Sequence, residues 1–157
     1  MTRSKIAALT ALGLAAAAMA GGATLAVAAP SASTTIATRK ANFKKMGAAM
    51  KALKGELSGT PDKAKVLEAA KTIAATGRVQ GQLFPAGTGP SSGVETDALP
   101  AIWTNRAAFD ADMTKLVTEA DKLVAAANTG NAAAMQAQFK AVGGTCGSCH
   151  KQFRADD

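Results

Sequence analysis

The sequence predicts an all-α chain folded as an antiparallel four-helix bundle, and three observations predict it. Apolar residues recur at alternating steps of three and four in separate stretches, glycines and prolines punctuate the joins, and no strand-like alternation appears. Aromatics make up only 4% of the chain, with five Phe, one Trp and no Tyr. The core must therefore be built from Ala, Leu, Val and Met, which suits helices better than sheets.

The first segment stands apart from the bundle. Arg3 and Lys5 precede a run from Ile6 to Ala20 that is apolar or small except for Thr10. Ala26-Val27-Ala28 then supplies a small-x-small pattern before Pro30. Together these describe a secretory signal peptide over residues 1–28, cut after Ala28, leaving one bundle domain over 29–157. The run is too short, and too soon interrupted by Gly21-Gly22, for a spanning anchor, which needs about 20 apolar residues. An exported chain places the protein in the periplasm, with no membrane anchor after cleavage. The full chain has 18 basic and 11 acidic residues. Loss of Arg3 and Lys5 leaves 16 against 11, net +5 over 129 residues. That charge favours solubility and acidic partners. Nucleic acid is excluded, because basic and acidic residues alternate and aromatics are too few to stack bases.

Four helices follow. The first spans about Thr35 to Leu57, with Phe43, Met46, Met50, Leu53 and Leu57 on one face. Gly59 ends it, and Thr60-Pro61-Asp62 restarts the chain for a second helix from Pro61 to about Gln80, with Val66, Ala70 and Ile73 as its thinner stripe. Phe84 to Leu99, rich in Gly, Pro and Ser, reads as a loop. The third helix is expected from Pro100 to about Asn128, on Phe109, Met113, Leu116, Ala120 and Leu123. Thr129-Gly130 stops it and Asn131 caps the fourth, which runs to about Arg154 on Met135, Phe139, Val142, Cys146, Cys149 and Phe153.

The chemistry is concentrated in Cys146-Gly147-Ser148-Cys149-His150. On a helix both thiols and the imidazole share a face that points into the bundle. Cys-x-x-Cys-His is the attachment pattern of haem c, with two thioether bonds from the cysteines and the histidine as axial iron ligand. Gly143-Gly144 upstream is costly in a helix, about 1 kcal/mol per Gly relative to Ala, and suits a flat macrocycle lying against it. Other chemistries fit less well. A structural zinc site needs about four ligands, and the chain offers two Cys and one His. A thioredoxin-like pair belongs at a strand-to-helix turn, and a disulfide between Cys146 and Cys149 would close almost no loop. The sequence thus implies one covalently attached haem c per chain, held through Cys146 and Cys149, with His150 on iron.

Three further stretches carry a resemblance. Arg39-Lys40-Ala41-Asn42-Phe43, Phe84-Pro85-Ala86-Gly87-Thr88-Gly89 and Leu99-Pro100-Ala101-Ile102-Trp103, with the C-terminal Cys-x-x-Cys-His and the Lys-Gln-Phe-Arg after it, resemble the class II cytochromes c, the cytochrome c′ family. The likeness covers essentially the whole mature chain, and the motif's C-terminal position is what marks class II. It implies a haem near one end of the bundle, held by the C-terminal helix, with the first helix covering its distal face. Arg39 matches the family's arginine beside a haem propionate, and Lys40 stands where many members carry Gln. Thr96 and Asp97 fall where the family loop touches the haem edge. Arg154 corresponds to the arginine beside the proximal histidine. Trp103 is either core packing with a hydrogen bond or a direct contact. Phe43 aligns with the family's sixth-coordination residue. Low-spin members carry Met there, and Phe has no lone pair to offer iron.

The expectation is a protein that carries electrons, or binds nitric oxide and carbon monoxide at a five-coordinate, high-spin iron, in an apolar distal pocket of Phe43 and Met46. The alternatives are a six-coordinate, low-spin electron carrier ligated by Met46, or a haem peroxidase. A peroxidase needs a distal acid or base, and the single His is consumed as a ligand. The expectation is therefore not an enzyme. The family analogy adds a possible homodimer through the first two helices, and the redox partner is left unnamed.

Overall fold

The structure, a computed structural model, describes residues 30–156. The expected signal peptide, residues 1–28, lies outside the described residues. Among the described residues five α-helices occur in order: α1 (Ala32–Glu56), α2 (Lys63–Gln80), α3 (Ala101–Thr104), α4 (Arg106–Thr129) and α5 (Ala132–Phe153). Short 3-10 turns at Gly81–Leu83 and Pro90–Ser92 interrupt the long connection between α2 and α3. Among the described residues the one extended pairing is an isolated bridge between Ala98 and Arg154.

The helix ends follow from local chemistry. Ser31 caps α1 by accepting the Thr34 N–H, so that helix starts three residues before the expected Thr35. The Asp62 carboxylate accepts the N–H groups of Ala64 and Lys65 and is the cap of α2. The helix therefore begins at Lys63 and not at Pro61. Gly130 turns the chain with φ of 74°, a conformation glycine adopts without steric cost, and Asn131 caps α5 as expected.

The third helix differs most from its expectation. The sequence predicts one helix from Pro100, whereas the chain breaks at Asn105 (φ −123°, ψ 52°) into α3 and α4. Side chains on either side of the break hold it against the loop. The Trp103 indole N–H donates to the Pro85 carbonyl at 3.0 Å, and the Arg106 guanidinium donates to the carbonyls of Phe84 and Gly81 at 3.0 and 3.3 Å.

The predicted stripes form the core. Leu53, Val66, Ala70, Ile73, Phe109, Leu116, Ala120, Leu123, Met135 and Val142 are all buried. Truncating any large one to Ala would cost on the order of 2–5 kcal/mol. Helix α1 packs on α2, α2 on α4 and α4 on α5, while α1 and α5 barely meet. At one end Gln136 of α5 donates to the Leu57 carbonyl, which ties the two together there. Towards the other end α1 and α5 flank a cavity, with α4 behind it. Among the described residues no helix is long and apolar enough to cross a membrane.

Candidate functional site

The cavity has a volume of about 640 Å³ and a mainly apolar wall, within the size range of small-molecule and cofactor sites. Residues from all five helices and the long loop line it. Helix α5 contributes Cys146, Cys149 and His150 on one face, as the i, i+3, i+4 spacing requires. Both cysteines are free thiols. Burial raises both, and Cys149 is pushed up to about 11 by burial first, then by the Asp112 carboxylate and by Cys146. Burial, then the neighbouring Arg154 cation, holds the His150 imidazole below its ordinary value, so at neutral pH it offers a lone pair to a metal.

Helix α1 supplies the opposite wall. Phe43 faces His150 with ring centroids 6.3 Å apart and planes at 73°. Met46 and Met50 follow one and two turns further on, and both line the cavity. Arg39 lines it too, and the residue is only 2% exposed. Its guanidinium donates to the hydroxyls of Thr88 at 3.2 Å and Thr96 at 2.6 Å and lies 4.6 Å from the centre of the Phe84 ring. Burial lowers its pKa. Among the described residues no carboxylate stands within ion-pair distance of Arg39. A buried cation with neutral partners and a cavity beside it is arranged to receive an anion.

The loop and the C-terminus close the site together. The Leu99 N–H donates to the Phe153 carbonyl and the Ala155 N–H to the Asp97 carbonyl, at 2.9 and 2.8 Å. This pairing carries Thr96, Asp97 and Arg154 to the cavity wall. Arg154 approaches Asp97 at 3.9 Å, with both side chains about half exposed, so the pair adds little stability. Lys40 is exposed at the rim, where its ammonium meets the backbone carbonyl and carboxylate of Glu95.

All nine residues singled out in the sequence therefore come to one cavity: Cys146, Cys149, His150, Arg39, Lys40, Phe43, Thr96, Asp97 and Arg154. One reading needs correction. Gly143 lines the cavity, but Gly144 is exposed on the outer side of α5, so the paired-glycine argument holds for the first only. Asp112 of α4 also reaches the cavity. Trp103 is not on the cavity wall. It stands behind Phe84, 6.3 Å between ring centres, and takes the hydrogen-bonded packing role.

Sequence reasoning missed Asp112 and Thr88. Asp112 had a signal, being three residues after Phe109 and four before Leu116 on the buried face of α4. Thr88 stood within the Phe84–Gly89 stretch that carries the resemblance, but nothing in the sequence tied it to Arg39.

Haem c fits these residues on structural grounds. Two thiols and a neutral imidazole share one wall of a large, mainly apolar cavity, and the buried Arg39 cation beside it lacks an anion.

The comparisons with known proteins agree. The family model for cytochrome c′ matches residues 34–154. A cytochrome c′ of Allochromatium vinosum is 36% identical over 154 residues, covering 97% of this chain and 96% of its own. The crystal structure of cytochrome c′ from Thermochromatium tepidum, 34% identical, superposes with a TM-score of 0.78 over 82% of this chain and 100% of its own. Another cytochrome c′ structure, also 34% identical, with a TM-score of 0.76 over 82% of this chain and 100% of its own, is described by an unusual ligand-controlled dimer dissociation.

Proposed function

The chain belongs to the cytochrome c′ family of c-type haem proteins, and from that premise we propose that it is a periplasmic monohaem cytochrome that moves single electrons and binds nitric oxide or carbon monoxide, not an enzyme. One observation carries this reading. Cys146, Cys149 and His150 form one wall of the cavity, and Phe43 stands opposite the imidazole.

The roles divide by chemistry. Cys146 and Cys149 anchor the haem as thioethers, and His150 donates a ring nitrogen to iron. The haem supplies one-electron redox chemistry and an iron site for a diatomic gas. Arg39 holds a propionate carboxylate, with Thr88 and Thr96 fixing its fork. Lys40, Thr96 and Asp97 line the haem edge, and Arg154 shields the proximal side. Phe43 offers no lone pair, so it leaves ferrous iron five-coordinate and high-spin. Phe43 and Met46 exclude water and give bound dioxygen no hydrogen bond, which favours carbon monoxide and nitric oxide. The expected signal segment over residues 1–28 supports export. A homodimer through α1 and α2 is part of the reading, supported by the dimer of the relative whose dissociation is ligand-controlled.

The test is intact mass and optical spectrum of the purified protein. The mass should exceed that of the polypeptide from residue 29 by one haem that acid-acetone does not extract, and the ferrous spectrum should be high-spin. A mass without haem overturns the site. Rapid turnover of peroxide would overturn the non-enzymatic reading. A specific observation supports one second reading. Met46 is buried on the cavity wall, and ligation by its sulfur would give a low-spin electron carrier. A thioether-to-iron charge-transfer band that vanishes in Met46→Ala would establish it.

A further inference from the structure

Helix α4 carries four carboxylates, and three have cations. Asp110 pairs with Arg106, Glu119 with Lys122 and Asp121 with Arg78. Asp112 is the exception among the described residues. Its Oδ2 is sealed from solvent, meets no hydrogen-bond donor and belongs to no ion pair, although Lys115 is only three residues on. The residue lines the cavity beside Cys149, between Phe109 and Leu116 on the buried face of the helix. An uncompensated carboxylate on an otherwise apolar face costs stability, and no contact within the bundle accounts for it. What it faces is the cofactor cavity. The sequence needed only another Ala or Leu there to complete the stripe.

We infer that Asp112 is a positioning residue of an electrostatic kind: a fixed carboxylate beside the haem that favours the ferric over the ferrous state and holds the reduction potential down. The inference rests on the haem reading of this cavity. Oxidation leaves one more positive charge on the iron, and a half-buried anion with one oxygen sealed in the cavity wall attracts it with less screening by water and salt than an exposed carboxylate would suffer. A unit charge acting over ~10 Å at an effective dielectric of about 20 changes the ferrous-to-ferric ratio by on the order of tenfold. The exposed and paired Asp110, two residues away, is screened and should change it little.

The experiment is redox titration of the haem-loaded, full-length-expressed protein and its variants by optical spectroscopy, at low and high salt. At a fixed electrode potential near the midpoint, Asp112→Asn should raise the ferrous-to-ferric ratio about tenfold, which is 59 mV for one electron. The shift should persist in high salt, and Asp112→Glu should restore most of the native value. Asp110→Asn should move the ratio less than twofold. If Asp112→Asn does not yield folded protein by circular dichroism, Asp112→Leu, which suits the apolar wall, is titrated in its place against the same expectation. A ratio within twofold of native, or a shift that high salt abolishes or that Asp110→Asn matches, overturns the inference while leaving the haem reading intact. A native chain carrying no covalent haem overturns both.

Discussion

Replacing Arg39 by Met tests whether an anion occupies the cavity beside it. Within the polypeptide the loss is modest. Two hydrogen bonds from a charged donor go, each worth about 1.5–3 kcal/mol, with a cation–π contact of ~0.5–2 kcal/mol on Phe84. Against this, the several kcal/mol of desolvation that burying the guanidinium costs is returned. The threonines are not orphaned, since Thr88 still donates to the Pro85 carbonyl and Thr96 still accepts from the Ala98 N–H. The polypeptide terms alone therefore net to about 1 kcal/mol. If a haem propionate also relies on Arg39, its removal strands a buried anion and costs about 3–5 kcal/mol. For a domain of this size that is the difference between a fall in Tm of roughly 4 °C and one beyond about 10 °C. The assay is thermal unfolding of the haem-loaded protein by circular dichroism, with Thr96→Val, which removes the Arg39 bond together with the Ala98 N–H bond, as the reference for lost polypeptide bonds. Arg39→Lys should fall between, because an ammonium lacks the fork that reaches both threonines. An Arg39→Met variant no less stable than Thr96→Val would refute the anion.

Three further outcomes follow from the same geometry. A Cβ on Gly89 would lie 2.9 Å from Cζ3 of Trp103, so Gly89→Ala should lose about 1–3 kcal/mol in a denaturant titration, and an unchanged midpoint would show that the Trp103 ring gives way freely. Phe43→Met should convert the high-spin spectrum to a low-spin one, and an unaltered spectrum would remove Phe43 from the distal position. Helix α1 carries Arg39, Lys40, Lys44, Lys45, Lys51 and Lys54 against one carboxylate, Glu56, with Lys40 at the cavity rim. Oxidation by an anionic iron complex should therefore slow with salt, and Lys40→Glu with Lys44→Glu should slow it further and flatten the salt dependence; indifference to both would place electron exit elsewhere.

Most of the fold was legible because apolar periodicity and capping chemistry are local. The stripe from Phe109 to Leu123 is buried throughout, and Gly130 with Asn131 ends one helix and starts the next as read. The break at Asn105 was not legible, because what holds it is tertiary: carbonyls of residues 81, 84 and 85 receive the side chains of Arg106 and Trp103. The attachment motif was legible since its spacing is itself the geometry. Arg39 was found by resemblance, but its isolation from carboxylates appears only once α1 and the loop are assembled. Asp112 illustrates the opposite case. The letter sits in plain view on an apolar face, yet what makes it informative is that Asp110, Glu119 and Asp121 all find cations and it does not.

The weak seam between α1 and α5 links fold to function. A four-helix bundle ordinarily closes its core through all adjacent pairs, yet here α1 and α5 meet chiefly at the Gln136 end and stand apart elsewhere. Phe109, Met113, Leu116 and Phe153 are buried around a cavity of about 640 Å³ and not against a fourth helix. At about 24 cal/mol per Å³, a void of that size that neither collapsed nor filled would cost on the order of 15 kcal/mol. The open mouth makes this an upper bound, but it is as large as the whole stability of a typical domain, about 5–15 kcal/mol. Such a cavity makes physical sense only if its occupant belongs to the core. An occupant with that duty must not dissociate, and the proposed thioether links to Cys146 and Cys149 of α5 would prevent it. The same arrangement explains why the cavity wall can hold the buried Arg39 of α1 and the unpaired Asp112 of α4: in the proposed reading each would face the haem, where its charge has an effect that a hydrocarbon neighbour could not register.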